Sequence, residues 1–355
     1  MSNSHRFDPR APQRLVVLQH GGIKGIFGKT GLSLLRYRAA EVVAVVDHET
    51  VGQSLRELTR LPFPTDIPIV ATIAEALKYK PTAVAIGIAP SGGRIPVEWM
   101  GDLRGAVKAG VSIWNGLHTP LNADAEIAAA LRPGVYVWDM RREPEGVATG
   151  KGEARTLPCK RVLFVGTDMA IGKMTAALEL DRIARVRGLR SKFIGTGQAG
   201  MMIEGDGICL DAVRVDFASG AVEAEMMRRG RDHEVLWVEG QGSMLNPAST
   251  ATLPLLRGSQ PTHLILVHKA GTKSLRNFPH IAIPPLEKVV TFYEQVAAAA
   301  GAFTPVKVVG VALNTWTLDE AAARTEVEAA TQATGLPCTD AVRFGAESLL
   351  EAICK

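Results

Sequence analysis

The sequence lacks the features that mark secreted, membrane-spanning or metal-stapled proteins. Its four cysteines, Cys159, Cys209, Cys338 and Cys354, lie far apart, without the CxxC spacing of a zinc or redox site or the density of a disulfide scaffold. No run of about eighteen apolar residues occurs, which argues against a membrane span. The polar start MSNSHRFDPRAPQR has no apolar core of a signal peptide. These absences predict reduced thiols and a cytoplasmic protein.

The chain also lacks a strong excess of either charge. Its 40 basic and 36 acidic residues are spread along the sequence, and the formal net charge is +4. Without a basic stripe, a nucleic-acid partner is not expected, whereas a modest positive excess suits anionic small molecules. With 355 residues, 46% of them hydrophobic and 21% charged, the chain is too long for one ordinary core and apolar enough for two.

Short apolar runs followed by turns and helical patterns predict an α/β fold with parallel sheets. The clearest lapse in this pattern is REPEGVATGKGEARTLP, residues 142–158, where Gly, Pro and charged residues take over. We therefore predict two domains, a Rossmann-like domain at residues 1–150 and a P-loop NTPase-like domain at 151–355. The runs read as strands are residues 15–18, 42–46, 83–88, 111–114, 135–138, 162–165, 235–238, 264–267 and 308–313.

The stretch VLFVGTDMAIGKMT has the order of a phosphate-binding loop. Gly166 closes an apolar run, five residues separate it from Gly172, Lys173 follows, and a helical pattern begins near Thr175. A strand, a glycine-rich loop and a helix start turn backbone N–H groups toward a phosphate chain, while the lysine adds a full charge. The alternative is an ordinary glycine-rich turn with a solvated lysine.

Two departures from the usual phosphate loop affect the expected metal. The standard spacing has four residues between the glycines and places Ser or Thr directly after the lysine. Here five residues intervene, Met174 follows the lysine, and Thr175 comes one position late. A late hydroxyl is rotated by about 100° around the helix. Thr175 and Glu239 are therefore only tentative magnesium ligands.

The segment GTDMAIGK resembles the longer phosphate loop of dethiobiotin synthetase and its ATP-dependent carboxylate-activating relatives, and later segments fall in matching order. VLWVEGQGS ends an apolar run in Glu239, where those relatives place a carboxylate that orients magnesium or substrate. A strand-end carboxylate that caps the next loop is the alternative. GVALNTW places Asn314 where the relatives read the nucleotide base.

Further polar loops follow other predicted strands. FIGTGQAGMMIEGDGI carries Thr196 and Gln198, and Gln241 follows Glu239, so these side chains are candidates for substrate binding at the carboxyl ends of the strands. In the first domain, Arg94 is a candidate for binding a carboxylate, and His118 for exchanging a proton near neutral pH. A hydrogen-bonded structural role is the stronger reading of a lone histidine.

The first domain begins with Rossmann-like order, in which a strand, a glycine-rich turn and a helix lead to a second strand ending in Asp47. An acidic residue there often binds a ribose. The glycines, however, do not form GxGxxG. We therefore expect a substrate or interface domain rather than a dinucleotide site.

Taken together, FGKTGLSLLRY, VVAVVD, GIAPSGGRIP, GLHTPL, DMR, VGTDMAIGKMT, TGQAG and VEGQGS resemble, in this order, a family described as a conserved domain of unknown function. That family pairs a Rossmann-like first domain with a P-loop second domain. It includes proteins assigned as D-glutamate N-acetyltransferases, which use acetyl-CoA and work beside an enolase-superfamily enzyme. The resemblance implies acetyl transfer to the amine of an acidic amino acid, with D-glutamate as the first candidate.

In this hypothesis the phosphate loop holds the coenzyme, and Lys173, Glu239 and Asp168 are the catalytic candidates, with either carboxylate as the base that deprotonates the amine. An ATP- and Mg²⁺-dependent ligase or kinase is the second hypothesis, and a nucleotide-regulated binding protein the third. We also expect a homo-oligomer. The residues expected to bind the cofactor are Gly166, Thr167, Asp168, Ala170, Gly172, Lys173, Met174, Thr175 and Asn314.

Overall fold

The computed structural model describes residues 8–25, 27–61, 63, 66–302 and 305–354. The chain packs as two compact α/β units. The first contains the chain up to Arg142 together with Gln198–Cys209, and the second contains Glu143–Gly197 and the chain from Leu210 onward. The sequence placed residues 198–209 in the second domain, and the structure groups them with the first unit.

The first unit is built on a six-stranded sheet in which every neighbouring pair is parallel. The strand order β3-β2-β1-β4-β5-β6 is that of a doubly wound Rossmann sheet. Its strands are β1 (Leu15–Leu18), β2 (Val42–Val46), β3 (Ile69–Val70), β4 (Ala83–Ile86), β5 (Ser112–Asn115) and β6 (Val137–Asp139). Its helices α1 to α5 are Lys29–Tyr37, Leu55–Thr59, Ile73–Ala76, Met100–Lys108 and Ala125–Ala130.

The second unit contains another fully parallel six-stranded sheet, of order β14-β13-β10-β7-β9-β8, and a short antiparallel hairpin, β11-β12. The strands β7 to β14 are Lys160–Gly166, Ser191–Ile194, Val235–Val238, His263–Lys269, Ser274–Leu275, Phe278–Ala282, Lys307–Asn314 and Cys338–Thr339. The helices are α6 (Lys173–Val186), α7 (Gln198–Glu204), which belongs to the first unit, α8 (Val215–Arg229), α9 (Thr252–Ser259), α10 (Leu286–Val296), α11 (Glu320–Thr334) and α12 (Glu347–Cys354).

Strands in the interior of each sheet are buried along all or nearly all of their length. All four residues of β1 (LVVL) and of β9 (VLWV) are buried, and β7 is buried from its second residue. Such continuous apolar runs are typical of parallel strands covered by helices on both faces. The predicted α/β class, with a Rossmann-like first unit and a P-loop second unit, is confirmed.

The start of α6 differs from two capped helix starts in a way that bears on ligand binding. Asp124 caps α5 by accepting from the Ile127 N–H at 3.0 Å, and Asp319 caps α11 by accepting from the Ala322 N–H at 2.8 Å. The N-cap of α6 is Gly172, which has no side chain to accept from the first-turn N–H groups. That helix start is therefore suited to an anion.

Among the described residues, every helix is too short or too polar to cross a bilayer.

Candidate functional site

The phosphate loop of the second unit begins where β7 ends, between β9 and β10. The carbonyl of Gly166 accepts hydrogen bonds from the Ser243 Oγ and the Tyr293 hydroxyl, both at 2.7 Å. Tyr293 is fully buried, and burial raises the pKa of its hydroxyl, which keeps it a donor at neutral pH. These two bonds fix the carbonyl that opens the loop.

Lys173 is the first residue of α6 and is only 5% exposed. Its Nζ donates to the Asp168 carbonyl at 2.7 Å, so the ammonium lies against the loop that it follows. The lysine side chain runs close to two glycines. A Cβ added to Gly240 would lie 2.8 Å from the Lys173 Cδ, and a Cβ added to Gly166 would lie 3.2 Å from the same atom. Both glycines thus leave room for the lysine.

The loop between β7 and α6 bends through backbone conformations that side chains rarely adopt. Gly172 has a φ of 112° and Ala170 a φ of 55°. Residues with positive φ interspersed in a turn direct successive N–H groups inward and form an anion-binding nest. Holding alanine in the left-handed region costs about 1 kcal/mol or more, which indicates that the surrounding structure imposes this bend.

Asp168 lies within this loop as a buried carboxylate, 4% exposed. Its Oδ1 accepts from the Met169 N–H and from the Asn246 Nδ2, both at 2.7 Å, and its Oδ2 accepts from the Arg276 N–H at 2.8 Å. Three protein donors therefore hold this carboxylate in place. Its geometry is that of a group that positions the loop.

Glu239 directly follows β9 and is 5% exposed. Its Oε2 accepts from the Thr196 N–H at 2.8 Å, its carbonyl accepts from the Thr196 hydroxyl at 2.9 Å, and its Oε1 lies 3.4 Å from the Gln241 Nε2. The ends of β8 and β9 are therefore tied together through this carboxylate. Gly240, directly after it, contacts the stem of Lys173, so Glu239 and the lysine belong to one site.

Thr167 and His268 form a buried pair at the ends of β7 and β10. The Thr167 Oγ1 lies 2.9 Å from the His268 Nδ1, and the Thr167 N–H donates to the Val267 carbonyl at 3.1 Å. Burial lowers the pKa of His268 from its ordinary value to about 4. The imidazole is therefore neutral at pH 7 and braces the loop without adding charge.

Asn314, predicted to read a nucleotide base, is directed at the phosphate loop. Its Nδ2 donates to the Ile171 carbonyl at 3.0 Å, and its Oδ1 accepts from the Trp316 N–H at 3.1 Å. Trp316 itself is 63% exposed on a segment held by buried Thr315, which binds Asp340. Sequence reasoning missed this tryptophan, because one aromatic residue after a strand carries no pattern.

The remaining cofactor candidates lie on the first turn of α6. Met174 is buried, 6% exposed, and packs into the core of the second unit. Thr175 is half-buried on the next position of the same turn. The two residues that follow Lys173 thus face different surroundings, as their helical spacing requires.

The predicted substrate residues divide between the units. Thr196 and Gln241 lie in the second unit, where Thr196 is 1% exposed. Gln198, Arg94 and His118 lie in the first unit. Within the second unit, the structure brings Thr196 and Gln241 together with Glu239.

The first-unit candidates have contacts of their own. The His118 Nε2 lies 3.0 Å from the Arg141 Nη1. The backbone N–H of His118 donates to the Gly93 carbonyl at 2.7 Å. Gln198 packs against Gly116, where an added Cβ would lie 2.9 Å from the Gln198 Cγ. Arg94 is exposed and makes no hydrogen bond or ion pair with any residue that the structure describes. A structural role thus suits His118.

The glycine turn of the first unit is filled by a side chain of the protein. Gln19 is fully buried, donates to the Gly28 carbonyl at 2.8 Å, and lies where a Cβ on Gly31 or Gly87 would be. In a dinucleotide fold that space lets the backbone approach a pyrophosphate. The expectation that these glycines do not form a dinucleotide loop agrees with this packing.

The two sheets and the strand–loop–helix at β7 define a two-unit α/β protein with a Rossmann-like unit and a P-loop unit. The family model described as "Domain of unknown function (DUF1611_C) P-loop domain" matches residues 148–350, and "Domain of unknown function (DUF1611_N) Rossmann-like domain" matches residues 48–143. The chain belongs to the DUF1611 family.

Three relatives illustrate the similarity. A crystal structure of a DUF1611 family protein from Anabaena variabilis is 56% identical, with a TM-score of 0.92 over 96% of this chain and 99% of that one. A protein named D-glutamate N-acetyltransferase from Pseudoalteromonas sp is 33% identical over 80% of this chain and 84% of its own length. One of the same name from Tritonibacter scottomollicae is 36% identical over 79% and 84%. The predicted family is thereby confirmed.

Proposed function

We propose that this protein is an N-acetyltransferase that moves the acetyl group of acetyl-CoA to the amine of an acidic amino acid, D-glutamate. Two relatives at 33% and 36% identity carry that name, which supports the reaction class. The observation that carries the coenzyme proposal is the buried Lys173 at the uncapped start of α6. Coenzyme A carries a pyrophosphate and a 3′-phosphate, and a backbone nest with a lysine binds such a polyanion.

In the proposed reaction the substrate nitrogen attacks the thioester carbonyl, a C–N bond forms, and the C–S bond breaks. The amine must give up a proton, and the coenzyme thiolate takes one, so the products are the N-acetyl amino acid and free coenzyme A. We assign the proton acceptor to Glu239, directly or through a water. Asp168 is the weaker candidate, because its oxygens already accept three hydrogen bonds.

The site also supplies groups for binding and charge stabilisation. Backbone N–H groups of the glycine loops would hold the oxyanion that forms on the thioester carbonyl. Thr196 and Gln241, beside Glu239, would bind the amino acid. In this proposal the enzyme is a cytoplasmic homo-oligomer that works beside an enolase-superfamily enzyme.

We assign the adenine ring of the coenzyme to the exposed Trp316. Stacking on an aromatic ring contributes about 1 to 3 kcal/mol per base, so Trp316→Ala should weaken acetyl-CoA binding by about 5- to 150-fold. Trp316→Phe should retain most of the affinity. Equal binding by Trp316→Ala and the parent, measured by calorimetry, would remove the tryptophan from the site.

The reaction is tested by following free thiol when D-glutamate is added to protein and acetyl-CoA. The exposed Cys354 contributes thiol of its own, so a mixture without substrate is the blank. Substrate-dependent release, with N-acetylglutamate identified by mass, is the expected result. No release with D-glutamate or any other amino acid would overturn the proposal.

A second candidate is an ATP- and Mg²⁺-dependent ligase or kinase, favoured by the half-buried Thr175 on the first turn of α6. In that case Thr175 and Glu239 would hold the magnesium ion. The same mixtures, supplied with ATP and Mg²⁺, should then form ADP when substrate is present. ADP formation without thiol release would favour this candidate, and tight binding with neither product would favour a nucleotide-regulated binding protein.

A further inference from the structure

Two histidines and an aspartate meet at one edge of the first unit. His20 follows β1, and Asp47 and His48 follow β2. These strands are parallel neighbours, with Leu18 paired to Val46, so the residues after them reach the same sheet edge. This edge is at the carboxyl ends of the strands, where α/β sheets bind ligands.

The two imidazole rings face each other through the same kind of nitrogen. The His20 Nδ1 lies 2.9 Å from the His48 Nδ1, and the ring centroids are 4.6 Å apart. One ligand atom from each of His20, Asp47 and His48 lies within 4.8 Å of the other two. The three donor atoms thus cluster within a span somewhat wider than the separation of about 3.3 Å expected between two ligands of one tetrahedral ion.

The orientation of the His20 ring bears on how this pair could bind a cation. The His20 Nδ1 lies 3.3 Å from the backbone N–H of His48, which makes it an acceptor with its lone pair turned toward His48. Two ring nitrogens that face each other at 2.9 Å lie close to the separation of two imidazole ligands on one metal ion.

Asp47 supplies a fixed negative charge beside the rings. It is fully buried; its Oδ1 accepts from the Gly21 N–H at 3.0 Å and the Glu49 N–H at 3.1 Å, and its Oδ2 accepts from the Thr50 hydroxyl at 2.7 Å. Such bonds orient a ligating carboxylate, as outer-shell partners do in metal sites.

We propose that His20, Asp47 and His48 bind a divalent transition-metal ion of the zinc type, at a site built from first-unit residues alone, and the proposal does not rest on the proposed acetyl transfer. Two imidazoles and a carboxylate suit Zn²⁺, Co²⁺ or Ni²⁺. Metal–nitrogen bonds of about 2.0 to 2.1 Å in a tetrahedral site put two nitrogens about 3.3 Å apart. The rings need to separate by only a few tenths of an ångström, and the exposed His48 has the freedom to do so.

Three protein donors leave a fourth position for water or a substrate oxygen, as in catalytic rather than structural zinc sites. The competing interpretation is a histidine pair that merely joins the ends of β1 and β2. The two differ in a measurable way, since only the first predicts stoichiometric metal binding that depends on both rings.

The test is calorimetric titration of Zn²⁺ into the full-length, tag-free chain carrying Cys354→Ser, which removes the exposed thiol. We expect one ion per chain. Loss of even an outer-shell partner typically costs 10- to 100-fold in metal affinity, so His48→Ala and His20→Ala should each weaken binding at least about tenfold. His280→Ala, which removes an exposed histidine elsewhere, should leave it unchanged.

Trp99 provides an independent readout, because its ring lies 5.6 Å from the His20 ring. Ni²⁺ should quench its emission in the parent chain, and neither His48→Ala nor a Trp99→Phe control should show that signal. His48 is exposed, so its alanine variant is expected to fold, which circular dichroism checks. No stoichiometric binding by the parent, or binding unchanged in both histidine variants, would overturn the proposal.

Discussion

At the scale of single residues, the phosphate loop buries two groups of opposite charge. Lys173 is 5% and Asp168 4% exposed, and backbone groups hold both, since the lysine donates to the Asp168 carbonyl and the carboxylate accepts from the Met169 and Arg276 N–H groups. Buried charges that are bonded in this way keep a fixed position. A phosphate chain would therefore meet a lysine already in place.

His268 makes the stability of the chain depend on pH. Its pKa is about 4 in the folded chain, against an ordinary value of 6.5, so between these values the unfolded chain binds more protons. Stability is therefore lost as the pH falls from about 6.5 toward 4. Because of this one group, the free energy of unfolding should be about 2 kcal/mol lower at about pH 4.5 than at pH 7.

The check is urea unfolding of the parent and of His268→Asn at both pH values. Asparagine can still bond the Thr167 hydroxyl but does not titrate. Between pH 7 and about pH 4.5 the free energy of unfolding should fall in both proteins. The fall should be about 2 kcal/mol smaller in the variant than in the parent. Equal falls in the two proteins would show that His268 does not carry this dependence.

At the scale of helices and strands, glycines mark places where the fold leaves no room. Gly31 in α1 is one such place, because an added Cβ would overlap the buried Gln19 amide, with its Cδ 2.6 Å away. Glycine to alanine in a helix normally stabilises by up to about 1 kcal/mol. Here overpacking should outweigh that gain, and Gly31→Ala should destabilise by about 1 to 3 kcal/mol.

Helix α4 offers the matched control. Gly105 has no atom within 4 Å of an added Cβ, so Gly105→Ala should stabilise by up to about 1 kcal/mol. Denaturant unfolding of both variants measures the difference. In a Gln19→Ala background, Gly31→Ala should lose most of its harmful effect, and a penalty that persists there would contradict the assigned clash.

Continuous apolar runs made most strands predictable. The runs at 15–18 and 42–46 coincide with β1 and β2. The strands β3 and β14, each of two residues, were missed because two residues carry no period. Helix α8 continues through Gly220, where an added Cβ would overlap the Ala148 carbonyl oxygen, a close approach that local sequence does not show.

The phosphate loop was locatable because its signal is local, a strand, two glycines and a lysine within a short span. The residues that hold this loop in place could not be predicted, because they come from distant parts of the chain. Asn246 reaches Asp168 from 78 positions away, and Tyr293 reaches the Gly166 carbonyl from 127 positions away. Which residue acts as base stays a prediction, since spacing does not reveal that the oxygens of Asp168 are already bonded.

At the scale of the whole molecule, the chain leaves the second unit after β8 to add α7 to the first. Arg38 anchors this helix, because its buried guanidinium donates to the Met202 carbonyl at 2.9 Å and lies 4.9 Å from the Trp114 ring. No local sequence pattern indicates that α7 packs with the first unit, which is why the sequence placed residues 198–209 in the second domain.

A fragment beginning at Glu143 should therefore contain a helix without its partners. We expect proteases to cut it within residues 198–209, whereas the full-length chain should be protected there, since Met201 and Met202 are 6% and 0% exposed. Limited proteolysis followed by mass spectrometry locates the cuts. Equal protection in the fragment would mean that α7 does not depend on the first unit.

Equilibrium binding of acetyl-CoA to Lys173→Ala tests most directly whether the phosphate loop holds the coenzyme. Removing a charge-assisted hydrogen bond in a partly desolvated nest should cost about 2 to 3 kcal/mol, or roughly 30- to 150-fold in affinity. Lys173→Arg should also bind weakly, because a planar guanidinium is bulkier than the stem that fits against Gly166 and Gly240.

Lys151→Ala, which removes an exposed lysine of the same unit, is the matched control and should bind as the parent does. All three variants should keep the circular dichroism spectrum of the parent. If Lys173→Ala bound both acetyl-CoA and ATP as tightly as the parent, with an unchanged melting curve, the loop would be only a glycine-rich turn and the coenzyme assignment would be wrong.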